Sequence, residues 1–179
     1  MKKIIYSFLI GFIYIQCSAQ TRLTPGEIKG RYETFVVFKI KQFDSVKRVG
    51  VYSKSNKYNN GIPYSEAERN QYHAPFIPMN PKKDVHVNND AVKQIVYSIL
   101  AKKLDALKQN KEEIDLIFAF EPNGKLVDIS FTLHENTVIT LPDVENIDRQ
   151  LRASIKAAFT GKQYLQYVAI NYYMPSITF

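Results

Sequence analysis

At 179 residues the chain has room for one domain with an appended segment, and its 45% apolar share supports a packed core. Its 24 Lys and Arg outweigh 17 Asp and Glu, a formal net charge of +7, spread in short pairs such as Lys82–Lys83 and Lys102–Lys103. No basic stripe, aromatic-rich RNA motif or recognition helix accompanies that charge, so nucleic acid is excluded as a partner class and a solvated basic surface accounts for it.

The first residues, MKKIIYSFLIGFIYIQCSAQ, set Lys2 and Lys3 before an uncharged, mostly apolar run from Ile4 to Ile15, with small residues after it. A secretory signal has this layout, and the run is shorter than the roughly 20 apolar residues of a membrane-spanning helix. Cleavage is expected between Ala19 and Gln20, making 1–19 a signal peptide and the mature chain a periplasmic or envelope-associated protein without a transmembrane span. The alternative is a lipoprotein anchored through Cys17, although Gln16 stands where that peptidase takes a small residue. Cys17 is the single cysteine. Cleavage after Ala19 therefore removes disulfides, thiolate catalysis and cysteine-held metal together.

Residues 20–31 are polar, and TPGEIKG predicts turns in an exposed arm. A second region, 32–87, opens with YETFVVFKIK and RVGVYSK, whose β-branched and aromatic residues predict an N-terminal β-hairpin bent at FDSVK. A long irregular segment follows, in which Asn60-Gly61 and prolines 63, 75, 78 and 81 forbid extended regular elements. One turn of helix fits SEAERNQY, where Ser65 and Glu68 have capping-box spacing. A segment of this length without regular structure is usually functional or mobile.

The region 88–179 is more regular. Val92, Ile95, Val96, Ile99, Leu100, Leu104 and Leu107 recur at helical spacing behind a cap at Asn88 or Asn89. Ile114, Leu116, Phe118 and Phe120 then alternate along one strand. Val127, Ile129, Phe131 and Leu133 alternate on the return strand, with Asp128, Ser130 and Thr132 facing water. EPNGK supplies the turn. A second helix is expected from Pro142 to Gly161, with Val144, Ile147, Leu151, Ile155 and Phe159 on its buried face. YLQYVAINYYMPSITF closes the chain as a last strand broken at Pro175. The fold class is α+β, with both helices on one face of an antiparallel sheet made from the hairpin and the terminal strand, and the two early strands are candidates to extend it.

Catalytic patterns are missing. His73, His86 and His134 sit in or beside expected loops without metal-ligand spacing, so no metal or cofactor is assigned and solvent exposure is expected for them. Glu112 and Glu113 are adjacent, point apart and are expected to face water rather than form an acid–base pair. Ser53, Ser65 and Ser98 lie in no nucleophile elbow, and no phosphate-binding glycine loop occurs. Tyr58, Tyr64 and Tyr72 punctuate the irregular segment, while Tyr164, Tyr167, Tyr172 and Tyr173 crowd the last strand. Such side chains serve binding surfaces and half-buried strands alike.

The order helix, two hairpin strands, helix, strand carries F-x-F-x-x-x-G-K-x-x-x-I-x-F from Phe118 to Phe131, NTVIT before the second helix, and a closing MPSITF. Over residues 90–179 it resembles the C-terminal domain of TonB-like proteins, in short exported versions from Bacteroidetes-type bacteria. The Tyr-Pro-x-x-Ala motif and the Trp before the last strand of typical TonB domains are absent. The resemblance implies a non-catalytic interaction module that adds an extended peptide to a sheet edge, with an envelope or outer-membrane transport protein as partner. The edge would be Val168, Ala169, Ile170, Asn171, Tyr172 and Tyr173. The other reading is a small exported enzyme or glycan-binding protein with its site in 55–87.

Overall fold

The computed structural model describes residues 22–40, 47–58 and 80–179. The signal region, Ala19, Gln20 and Cys17, the FDSV bend and most of the Pro/Asn/Tyr segment, with its capping box, Tyr64, Tyr72 and His73, lie outside the described residues.

The protein is α+β, built on an antiparallel sheet. In chain order the elements are β1 (Gly26–Lys29), β2 (Thr34–Ile40), β3 (Arg48–Ser53), a single turn α1 (Pro81–Asp84) and β4 (Val85–Val87). Next come α2 (Asn89–Ile99), a 3-10 turn (Ala101–Lys103), α3 (Leu104–Gln109), β5 (Glu113–Phe120), β6 (Leu126–His134) and α4 (Leu141–Ser154). The chain closes with β7 (Ala157–Phe159), a 3-10 turn (Gln163–Gln166), β8 (Ile170–Tyr173) and β9 (Ile177–Thr178). The main sheet runs β1-β2-β3-β6-β5-β8, and β9 also pairs with β5. A two-stranded sheet of β4 and β7 stands apart.

The β5–β6 hairpin forms for the reasons its sequence gives. Ile114, Leu116, Phe118, Phe120, Ile129, Phe131 and Leu133 all enter the core, and Gly124 takes the positive φ of 81° that the turn requires. A register shift at Ala119/Phe120 turns the return strand at its start. Leu126 is therefore buried where Val127 was expected, and Asp128 is buried rather than facing water. The early strands do extend the sheet, because β3 pairs with β6. Both long helices contribute to the same core, α2 through Val92 and Val96 and α4 through Val144, Ile147 and Leu151. Among the described residues the sheet's other face carries no such layer.

Four expectations need correction, in whole or in part. The expected exposed arm is mostly exposed over residues 22–31 but is tied to the sheet, since Gly26–Lys29 pairs with β2 and Leu23 is buried. The first helix is not continuous to Leu107. It tightens at Ala101–Lys103, which brings Lys103 Nζ onto the Val138 carbonyl (3.0 Å) and the Asp143 carboxylate at the start of α4. That tertiary anchor overrides the good helix propensity of AKKLDALK. The second helix ends at Ser154, not Gly161, because Ala157–Phe159 is captured by Val85–Val87 as a strand pair. Phe159 packs beside the core from that strand and stacks on Tyr164 at 4.9 Å. The terminal segment opens with a 3-10 turn where strand was expected, and its strand breaks at Pro175 into Ile170–Tyr173 and Ile177–Thr178 as the sequence predicts.

Candidate functional site

The two edges of the main sheet differ. The outer edge, β1, carries Glu27 and Lys29 within four residues, and Glu27 Oε1 is paired to Lys54 Nζ at 2.8 Å. Charge of this kind discourages pairing with another chain. The opposite edge, β8, reads Ile-Asn-Tyr-Tyr, and no charged side chain occurs from Gln163 to Phe179. Among the described residues nothing pairs with its outer side.

Backbone geometry settles which groups that edge offers. β8 runs antiparallel to β5, with Ile170 opposite Phe120, Asn171 opposite Ala119, Tyr172 opposite Phe118 and Tyr173 opposite Ile117. One residue further, the Met174 N–H donates to the Leu116 carbonyl at 3.0 Å. Antiparallel ladders alternate between bonded and non-bonded pairs. Ile170 and Tyr172 therefore bond to β5, whereas Asn171 and Tyr173 turn their N–H and C=O groups away from it.

The six residues expected at the edge divide accordingly. Ile170 and Tyr172 face the helix layer. Ile170 is buried, and the Tyr172 hydroxyl lies 2.9–3.0 Å from both polar atoms of the Asn89 side chain at the start of α2. Asn171 and Tyr173 face the open side, and Tyr173 is 69% exposed. Ala169 and Val168 precede the strand. Ala169 is buried, and the Val168 carbonyl accepts from the Tyr58 hydroxyl at 3.4 Å.

Tyr58 belongs to a strap, residues 54–58, that crosses the end of the sheet. The Asp128 carboxylate accepts the N–H groups of Lys57 (2.6 Å) and Tyr58 (2.7 Å). Asn56 donates to the Ile129 carbonyl at 3.1 Å and accepts from Arg152 at 2.6 Å. Arg152 in turn bonds both oxygens of Asp148, at 2.7 and 3.1 Å. Burial pushes the Asp148 carboxyl above the ordinary aspartate range, Arg152 opposes that shift, and Glu33 and Asp128 add to it. These polar groups fix the strap and the strand it touches.

Beside β8 the open face holds a groove of about 300 Å³. Phe38, Ile40, Ile117, Ala119, Thr132, Asn171 and Tyr173 are among its walls. Gly50 lies directly opposite Phe38 in the ladder, and the Phe38 ring occupies the space that a Cβ at Gly50 would need. That close approach lays the ring across the sheet, where it remains 44% exposed. The sequence hides this arrangement, because Phe38 reads as a core residue and the groove exists only through the register of five strands.

The other described residues weighed for chemistry sit in the strands, in a helix and in one connection of the fold. Glu112 is buried rather than facing water, and it accepts from the Thr137 hydroxyl, the Val138 N–H and the Asn110 amide. Glu113 pairs with Arg48. His86 lies in β4 with Nε2 2.6 Å from the Thr160 hydroxyl, and His134 ends β6. Ser53 is buried against Glu33 and Ser55, and Ser98 donates to the Ile95 carbonyl. Among the described residues no three His, Cys, Asp or Glu side chains gather as a metal site. None of the described helices is long and apolar enough to cross a membrane.

No family model matches the chain, and no curated protein matches it. Among solved structures it is similar to the crystal structure of a DUF5043 family protein from Bacteroides uniformis. The TM-score is 0.63 at 14% identity, over 89% of this chain and 88% of that one. The likeness is one of fold.

Proposed function

We propose that the protein is an exported, non-catalytic interaction module of the cell envelope that binds an extended segment of another envelope protein by strand addition along β8. The observation that carries this reading is the main chain of Asn171 and Tyr173, unpaired among the described residues, on an edge without charge. Main-chain hydrogen bonds would supply the affinity and alternate side chains the selectivity. The sequence layout of residues 1–19 supports export, and the sequence resemblance of residues 90–179 to TonB C-terminal domains is the comparison that suggests binding at an edge. An outer-membrane transport protein is the partner this comparison favours.

Proline at position 171 tests the reading cleanly. It removes an outward N–H while sparing the ladder to β5, and proline is tolerated at sheet edges on such positions. A photo-crosslinking side chain at the exposed Tyr173, in cells that make the chain, is expected to capture an envelope protein. Asn171→Pro is expected to abolish that adduct without lowering the amount of folded protein. Ala169 is a poorer crosslinking position, because it is buried. Exclusively intramolecular links, unchanged by the proline, would overturn the proposal.

A further inference from the structure

We infer that the groove on the open face is the selectivity pocket of this edge and admits a large uncharged side chain from the segment that pairs with β8. The inference rests on strand addition and adds the chemistry of the partner. Asn171 and Tyr173 belong both to the edge that is unpaired among the described residues and to the groove wall. A segment laid along β8 runs about 4.8 Å from it, and every second side chain points to the open face. One of these stands at the groove mouth and needs only to lean across Asn171 or Tyr173 to enter.

The lining then decides what enters. Phe38 and Ile117 offer apolar surface, and the exposure of Phe38 and Tyr173 leaves aromatic area to cover. The described lining contains no Lys or Arg and a single carboxylate, Asp128. Asp128 is buried and both its oxygens are held by N–H groups of the strap, so its carboxylate is poorly placed to meet an incoming ammonium, and an incoming carboxylate finds no cation. A charged side chain would lose water there without compensation. Ser130, Thr132 and Asn171 supply neutral hydrogen-bonding groups at the walls, which also suits a tyrosine hydroxyl. The partner segment is therefore extended, uncharged where it crosses Asn171 and Tyr173, and carries Phe, Tyr, Leu or Met at one open-face position.

The test uses fluorescein-labelled octapeptides of alternating Thr and Val in which one central Thr is replaced by Phe, Ala, Lys or Glu. Fluorescence anisotropy with the purified mature chain is expected to show the Phe peptide binding about ten-fold tighter than the Ala peptide, the scale of one partly buried aromatic ring. The Lys and Glu peptides should bind more weakly than the Ala peptide. Ile117→Thr and, independently, Phe38→Thr should bring the Phe peptide down to the Ala peptide's affinity while leaving the latter unchanged. Equal binding of the Phe and Ala peptides, with both still lost in Asn171→Pro, would refute the pocket and leave strand addition standing. Tighter binding of a charged peptide would refute the pocket as well. Failure of every peptide to bind would overturn both.

Discussion

The turn between β1 and β2 is hydrogen-bonded to α4 through Glu145, with Arg149 stacked over Tyr32 beside it, and the Glu145 contact can be measured from both sides. The buried Glu145 carboxylate accepts the N–H groups of Arg31 (3.0 Å), Tyr32 (2.7 Å) and Glu33 (3.0 Å). Gly30 lies so close that an added Cβ would stand 2.6 Å from Glu145 Oε1. Hydrogen bonds to a charged group contribute about 1.5–3 kcal/mol each. Arg31 and Tyr32 are exposed, so water reaches part of the turn once the carboxylate is gone. Glu145→Ala is therefore expected to cost about 2–4 kcal/mol, well under the sum of three bonds. Gly30→Ala strains the same contact and should cost about 1–3 kcal/mol. Because one contact serves both, the double variant should fall short of the summed losses by about 1 kcal/mol or more. Urea unfolding of the four chains closes the cycle. Additivity within about 0.5 kcal/mol would show that the carboxylate and the glycine do not share a contact, and the reasoning would fail.

Phe131, central in β6 between Val51 and Leu116 and 1% exposed, should cost about 3–5 kcal/mol when truncated to Ala, read by urea unfolding; a loss below about 1 kcal/mol would contradict its place in the core. Burial raises the Asp148 carboxyl from its ordinary 3.8, so the folded chain holds that proton more tightly than the unfolded one. Its contribution to stability is then present below the ordinary value and declines as pH rises from there through the raised one. Asp148→Asn should remove this decline, and parallel stability–pH curves for the two chains would refute the shift. Mass spectrometry of the chain isolated from the cells that make it should give Gln20 as the first residue, whereas an acylated Cys17 or an intact Met1 would overturn export with cleavage after Ala19.

Period and turn chemistry made half of this fold legible. The hairpin of β5 and β6 was readable because its apolar residues alternate and Gly124 marks the turn, and the inner face of α4 because Val144, Ile147 and Leu151 follow helical spacing. The hidden parts depend on distant residues. Nothing local in SIKAAF says that Ala157–Phe159 leaves the helix, since its strand partner is Val85–Val87. Glu145 reads as an ordinary surface acid of an amphipathic helix, yet its hydrogen-bond donors lie more than 110 residues earlier. Asp128 and Glu112 are hidden for the same reason, because buried carboxylates are recognisable only by the N–H and O–H groups that meet them. The uncharged, tyrosine-rich run of the terminal segment, by contrast, was visible at once, and its central residues form the sheet edge. What it did not reveal is which of its residues turn outward, a matter settled by one hydrogen bond from Met174.

The assignment of strands to edges is the step that connects the fold to the proposed function. The hairpin of β5 and β6 offers two flanks, one on each strand, and the N-terminal strands pair with β6. Had they paired with β8 instead, its main chain would be spent and strand addition closed off. Their actual position puts β1, with Glu27 and Lys29, at the far edge and leaves the uncharged edge to β8. That strand is also held in place. β5 bonds Ile170 and Tyr172 on one side, Asn89 anchors the Tyr172 ring from the helix layer, and Tyr58 reaches the carbonyl of Val168 at its entrance. Past Pro175, β9 returns to β5 at Glu113 and Ile114. A short strand fixed at both ends loses little freedom when a further strand joins it, so more of each new hydrogen bond appears as affinity. Four residues give only two outward-facing backbone positions, Asn171 and Tyr173, and so few bonds cannot by themselves separate one partner from another. In the proposed strand addition selectivity would then come from side chains, and the groove that opens beside those same two residues is where the inference assigns it.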